Sequence, residues 1–128
     1  MPYEIRLTDE VDIWLHDLAD TDMPAYQLAV EYINMLEKHG PGLGRPHVGK
    51  INGSAIANLK ELRPRSTGTS ALRVLFVFDP WRSAILLVAG DKIREQPAAP
   101  DRWYGKAIRQ AEELYQTYLI ERVEEESQ

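Results

Sequence analysis

Two runs of β-forming residues, Leu72–Phe78 and Ala84–Ala89, are separated only by Asp79-Pro80-Trp81-Arg82. A link this short joins antiparallel neighbours, because parallel strands need a crossover of about a dozen residues or more. Upstream, Leu59–Arg63 reads as a further strand, closed by Pro64 and the polar run Arg65–Ser70. Before it, residues 40–58 are rich in glycine and proline, which predicts a loop with a short edge strand around His47–Ile51. The centre of the chain is therefore expected to be an antiparallel meander, ended by Gly90. One face of it is expected to pack on helices, leaving the other for solvent or a ligand.

The flanks have helical periodicity. Tyr3–Leu7 alternates as a half-buried strand, and Thr8 and Asp9 supply capping oxygens. Val11, Trp14, Leu15 and Leu18 then form one stripe, and Ala25, Leu28, Ala29, Tyr32, Ile33 and Leu36 a second. Asp20-Thr21-Asp22 separates them, Pro24 suits a first helical turn, and Gly40 ends the hairpin. Beyond an Arg94–Pro100 loop, Asp101 is expected to cap a last helix with the stripe Tyr104, Ala107, Ile108, Ala111, Leu114, Tyr115 and Tyr118. Residues 121–128 read as a frayed acidic tail. The expectation is one α+β domain over 1–128, in the order β-α-α-β-β-β-β-α: a small twisted antiparallel sheet on an N-terminal helical hairpin and a C-terminal helix.

Several chemistries are excluded. The chain has no cysteine, which removes disulfides, thiolate metal sites and cysteine nucleophiles. His16, His39 and His47 have no partners at metal-ligand spacing, so no metal and no cofactor are expected. The glycines at 40–53 lack the Lys-Ser/Thr of a phosphate-binding loop. The first residues contain no apolar leader, and the longest apolar stretch, Ala84–Ala89, is far short of the ~20 residues that span a bilayer. A cytoplasmic location with no membrane contact is the expectation.

The net charge of −5 argues against a nucleic-acid partner, but its distribution does not. Residues 41–110 carry 12 Lys and Arg against 5 Asp and Glu, whereas residues 1–40 carry 2 against 9. The basic middle coincides with the meander. Lys60, Arg63, Arg65, Arg73 and Lys92 lie on or beside strands about 4.8 Å apart and can converge on a polyanion. His47 lies in the same region. Strand parity separates Lys60, on the face of Leu62, from Glu61 and Arg63.

Three segments carry a family resemblance: Asn58–Pro64 with its Glu61-Leu62-Arg63, Leu72–Pro80 opening on Leu72-Arg73-Val74, and Ala84–Lys92 ending in Gly90-Asp91-Lys92. They resemble the RelE/ParE toxin superfamily, within it the HigB-type branch of type II toxin–antitoxin systems. The resemblance spans roughly residues 3–120. It implies a metal-independent endoribonuclease that cuts messenger RNA, on the ribosome, by attack of a 2′-hydroxyl on its own 3′-phosphate to give a 2′,3′-cyclic phosphate. It also implies a helix-turn-helix antitoxin as partner. Carried over residue by residue, Arg63, Arg73 and Lys92 match the family's catalytic cations, and Glu61 a general base or the partner that orients Arg63. Lys60, Arg65, His47, Asp91 and Tyr104 are candidate RNA contacts. The alternatives are a non-catalytic, ParE-like inhibitor of DNA gyrase and a degenerate toxin that only binds its antitoxin.

Overall fold

The computed structural model describes residues 2–66 and 68–128. Met1, and Thr67 in the polar run expected between strands, lie outside it. The elements are β1 (Glu4–Leu7), α1 (Asp9–Thr21), α2 (Met23–His39), β2 (Val48–Lys50), β3 (Lys60–Leu62), β4 (Leu72–Phe78), β5 (Ser83–Asp91), α3 (Lys92–Glu95) and α4 (Trp103–Glu126). Thr8 caps α1 by accepting from the Val11 amide, and Asp22 caps α2 by accepting from Ala25. Gly40 ends α2 at φ +54°, with the Tyr3 ring where a Cβ would stand.

The α+β class agrees with the reading of the sequence, but the sheet is mixed. Its order is β1-β5-β4-β3-β2. β2 to β5 pair antiparallel as the short links require, while β1 adds to the far edge parallel to β5. The helical hairpin carries the chain from β1 to β2 at the opposite edge, and three strands later β5 returns beside β1; nothing in the local pattern of Tyr3–Leu7 reports that partner.

The expected open sheet face is covered. Val74, Phe76, Leu86 and Leu62 pack against α1 and α2; Leu75, Val77, Ile85, Leu87 and Leu59 pack against α4. Each such side chain contributes about 1.5–3 kcal/mol when fully buried. A bulge in β5 sets Leu75 opposite Val88 and Phe76 opposite Leu86, so Leu87 and Val88 both face α4.

Three boundaries differ from expectation. Gly90 does not end β5: it pairs with Arg73, and Glu95 and Trp103 occupy the space a side chain would need. The expected loop after it begins with α3, capped by Asp91. Asp101 does not cap α4. It sits in a 3-10 turn, Pro100–Arg102, with its carboxylate turned to Lys92.

α4 runs to Glu126, through most of the expected tail. Arg122 is buried, and its Nη1 lies 3.0 Å from Tyr118 Oη, 3.3 Å from Ser83 Oγ and 3.4 Å from Asp79 Oδ2. Its Nε donates to Glu126 at 2.8 Å, and Arg6 holds Glu125 with two hydrogen bonds. These contacts tie the last turns of α4 to the β4–β5 turn and to β1.

Candidate functional site

The side-by-side strands β2, β3 and β4 place three residues on the α4 face. Gly49 lies opposite Glu61, and Glu61 opposite Leu75. Arg63 and Arg73, each two residues along from that register, share the face by alternation. Glu61 is the hub. Its Oε1 accepts from Tyr104 Oη at 2.6 Å and lies 3.1 Å from Arg73 Nε and 3.5 Å from Arg63 Nε. Glu61 is only 3% exposed, which is tolerable because a phenol and two guanidiniums surround its charge.

Arg73 is held from both ends, its Nη1 donating to the Leu72 carbonyl at 2.8 Å. Its Nε is at ion-pair distance from Glu61 without hydrogen-bond alignment, a buried polar hydrogen with no acceptor among the described residues. Arg63 is more open and lies across the backbone at Gly49, where a Cβ would come within 2.4 Å of its guanidinium carbon.

Lys92 approaches from the end of β5, beside the start of β4 that holds Arg73. As the first residue of α3 it points its ammonium 5.2 Å from the centre of the Tyr104 ring and 3.2 Å from Asp101 Oδ1. Tyr104 thus joins both halves, its hydroxyl on Glu61 and its ring under Lys92. Burial, then the hydrogen bond to Glu61, pushes the phenol up to about 12, while Arg73 acts in the opposite sense.

All of these groups except Arg73, whose side chain is 13% exposed and lies behind Glu61, border an open cleft of about 330 Å³. Its wall includes Glu61, Arg63, Lys92 and Tyr104, all expected from the sequence, and also Lys50, Asn52, Ile51, Ile108 and Asp101. Lys50 and Asn52 were absent from the sequence expectation. The signal available was the edge strand His47–Ile51, but no pattern said that its end would border the β3 face bearing Glu61. The cleft offers cations to an anion, apolar surface beside them, and a buried carboxylate that fixes the cations.

Four expected RNA contacts lie elsewhere. Lys60 sits opposite Lys50 and Phe76, on the alternation shared with Leu62. His47 packs its ring 5.6 Å from that of Tyr32. Arg65 is an exposed residue 3.8 Å from Glu31 on α2. Asp91 is buried and occupied: its Oδ1 accepts from the amides of Ala71, Ile93 and Arg94, joining the start of β4 to α3. Among the described residues no cluster of three His, Asp or Glu side chains is arranged to hold a metal ion, and no helix is long and apolar enough to cross a membrane.

A family model described as Phage derived protein Gp49-like (DUF891) matches residues 16–116, from α1 through most of α4. Two proteins of Mycobacterium tuberculosis (strain ATCC 25618 / H37Rv), named as candidate toxins HigB2 and HigB3, are each 40% identical to this chain. The match to HigB2 covers 88% of the chain and 53% of that protein, so the chain spans about half of its length. The match to HigB3 covers 90% of the chain and 92% of that protein. No solved structure matches.

Proposed function

Because the chain belongs to the Gp49-like family of phage-derived proteins, we propose that it is a HigB-type toxin of a toxin–antitoxin system and that its cleft cleaves RNA. The likeness to HigB2 and HigB3 supports the toxin reading. The observation that carries the chemistry is the convergence of Arg63, Arg73 and Lys92 around Glu61 and Tyr104.

In this reading an RNA strand lays its scissile phosphate against Arg63 and Arg73. Their charge offsets the negative charge that builds on the phosphoryl oxygens as the neighbouring 2′-oxygen attacks. The 2′-hydroxyl passes its proton to a water of the open cleft as its oxygen bonds to phosphorus, the bond from phosphorus to the 5′-oxygen breaks, and that oxygen takes up a proton. Lys92 is the donor placed for this second transfer, its ammonium held over Tyr104. Glu61 holds the two guanidiniums in position rather than meeting solvent. The substrate is messenger RNA on the ribosome, the location is the cytoplasm, and the partner that silences the cleft is a helix-turn-helix antitoxin. These finer points rest on the resemblance of the strand motifs to RelE/ParE toxins.

Induced expression in a bacterial host tests the reading. Growth is expected to stop, with new messenger RNA ends, and the Arg73→Ala protein is expected to be soluble and harmless. Arrest with intact RNA and blocked DNA supercoiling would favour the gyrase-inhibitor alternative. Uninterrupted growth with soluble wild-type protein would favour the degenerate toxin.

A further inference from the structure

A second concavity lies away from the cleft, between α1 and α4. One part, about 420 Å³, adjoins another of about 400 Å³ along the start of α4, and both are lined by Val88, Ala89, Glu95 and Gln110. Its floor is an unpaired sheet edge. β1 pairs with β5 only from Ser83 to Leu86, while β5 continues to Asp91. Thr8 takes the next position, donating its amide to Leu86 O and its hydroxyl to Leu87 O. Glu95 takes the far end by accepting from the Asp91 amide. Between them, Val88–Gly90 faces no strand on its β1 side among the described residues, with Val88 and Gly90 buried and Ala89 half-buried. An edge left open in this way can template pairing with another chain.

The walls define what fits. Ile13 stands over the groove 59% exposed, beside half-buried Trp14. The α1 side is lined by Glu10, Asp17 and Glu95 with no Lys or Arg among the described residues, while the α4 side carries Arg102 and Lys106, so the carboxylates select charge only along α1. Glu95 is engaged by Asp91 and Trp103, but Glu10 and Asp17 have no ion-pair partner among the described residues. The rest of α1 adds Asp9, Asp12 and Asp20 and no Lys or Arg. The α1 wall repels a phosphate backbone. An extended peptide with apolar residues at every second position fits the floor, and cationic residues between them meet the carboxylates.

We propose that this groove docks an extended peptide segment in which apolar residues alternate with lysine or arginine, laid along Val88–Gly90. That the segment belongs to the antitoxin rests on the toxin reading; the chemistry of the groove does not. Trp103 lines the groove and its neighbour Tyr104 lines the cleft, so a segment bound here touches the connection that carries the cleft without entering it.

The full-length chain, labelled with nitrogen-15, is titrated with a short synthetic peptide alternating lysine and valine, and with one alternating glutamate and valine. Saturable amide shifts are expected at Ile13, Val88–Gly90 and Gln110, with the lysine peptide bound about tenfold or more tighter. The double variant Glu10→Lys, Asp17→Lys is expected to lose that preference while its remaining spectrum stays in place. No saturable shift in the groove, or equal binding of both peptides, overturns the proposal. So do groove shifts that grow with protein concentration alone, which would place a second copy there. The titration is independent of RNA cleavage, so a chain that cleaves no RNA yet binds the lysine peptide separates the two readings.

Discussion

Tyr104 donates its hydroxyl hydrogen to Glu61 at 2.6 Å, across the space between α4 and β3. The accepting oxygen is the one that faces Arg73 and Arg63, so the phenol shares the atom that positions both guanidiniums. The opposite face of this relationship is Lys92, held over the same aromatic ring.

Tyr104→Phe removes the hydroxyl and keeps the ring. Loss of a hydrogen bond to a buried carboxylate is worth about 1.5–3 kcal/mol before relaxation. RNA cleavage is expected to fall roughly ten- to a hundredfold, since each 1.4 kcal/mol is a factor of ten. RNA affinity is expected to change little, because the cations stay. Single-turnover cleavage measured beside binding of a non-cleavable deoxy-substituted oligonucleotide separates the two effects.

Tyrosine ionisation is expected to lower stability at alkaline pH. Tyr104 is raised from its ordinary value near 10 to about 12, and Tyr118 is raised further by burial and Asp79. The unfolded chain then loses these protons before the folded one does. The stabilisation is complete below about pH 10 and disappears as pH climbs through the folded-state values. Denaturant midpoints are expected to decline from pH 10 upward, and less steeply in Tyr118→Phe. An unchanged slope in that variant would remove Tyr118 from this role.

Gly49→Ala separates activity from stability. The new methyl group meets the guanidinium of Arg63, the free end of a flexible side chain, so the side chain swings away at little cost to the fold. Cleavage is expected to fall to the level of Arg63→Ala with the melting temperature within a few degrees of wild type. Retained activity would show that Arg63 works from another position.

Removing residues 121–128 takes away Arg122 and leaves Asp79 buried beside Tyr118 without its cation. Breaking one side of a buried ion pair typically costs about 3–5 kcal/mol. Urea unfolding of the truncated chain is expected to show a loss of that order. A frayed tail would show none.

The elements were legible where side chains alternate or form stripes. Leu72–Phe78 was bounded correctly, and the parity that separates Lys60 from Glu61 and Arg63 follows from the single core residue Leu62. What local pattern does not carry is the partner of each element. The stripe of α4 was visible, but not that it would close the second sheet face. Asp101, expected as a cap, turns to Lys92 because the last helix starts after a 3-10 turn, while Asp91, expected at the RNA, caps α3. Arg122 sat in a run of glutamates with every mark of an exposed tail, and only the return of α4 to the β4–β5 turn buries it. Of the cleft, Arg63, Lys92, Glu61 and Tyr104 were legible through motif resemblance, as was Arg73 behind Glu61. Lys50 and Asn52 needed the register of β2.

The most direct measurement is the chemistry of RNA ends. Purified chain is incubated with a defined messenger RNA in the presence of a chelator, with and without ribosomes, and the fragments are mapped. Fragments ending in 2′,3′-cyclic phosphate and beginning with 5′-hydroxyl are expected from the wild type. Loss of at least about a hundredfold is expected in Arg73→Ala, the typical scale for removing one transition-state donor. Intact RNA under both conditions, or equal cleavage by folded Arg73→Ala, would contradict the assignment of this cleft.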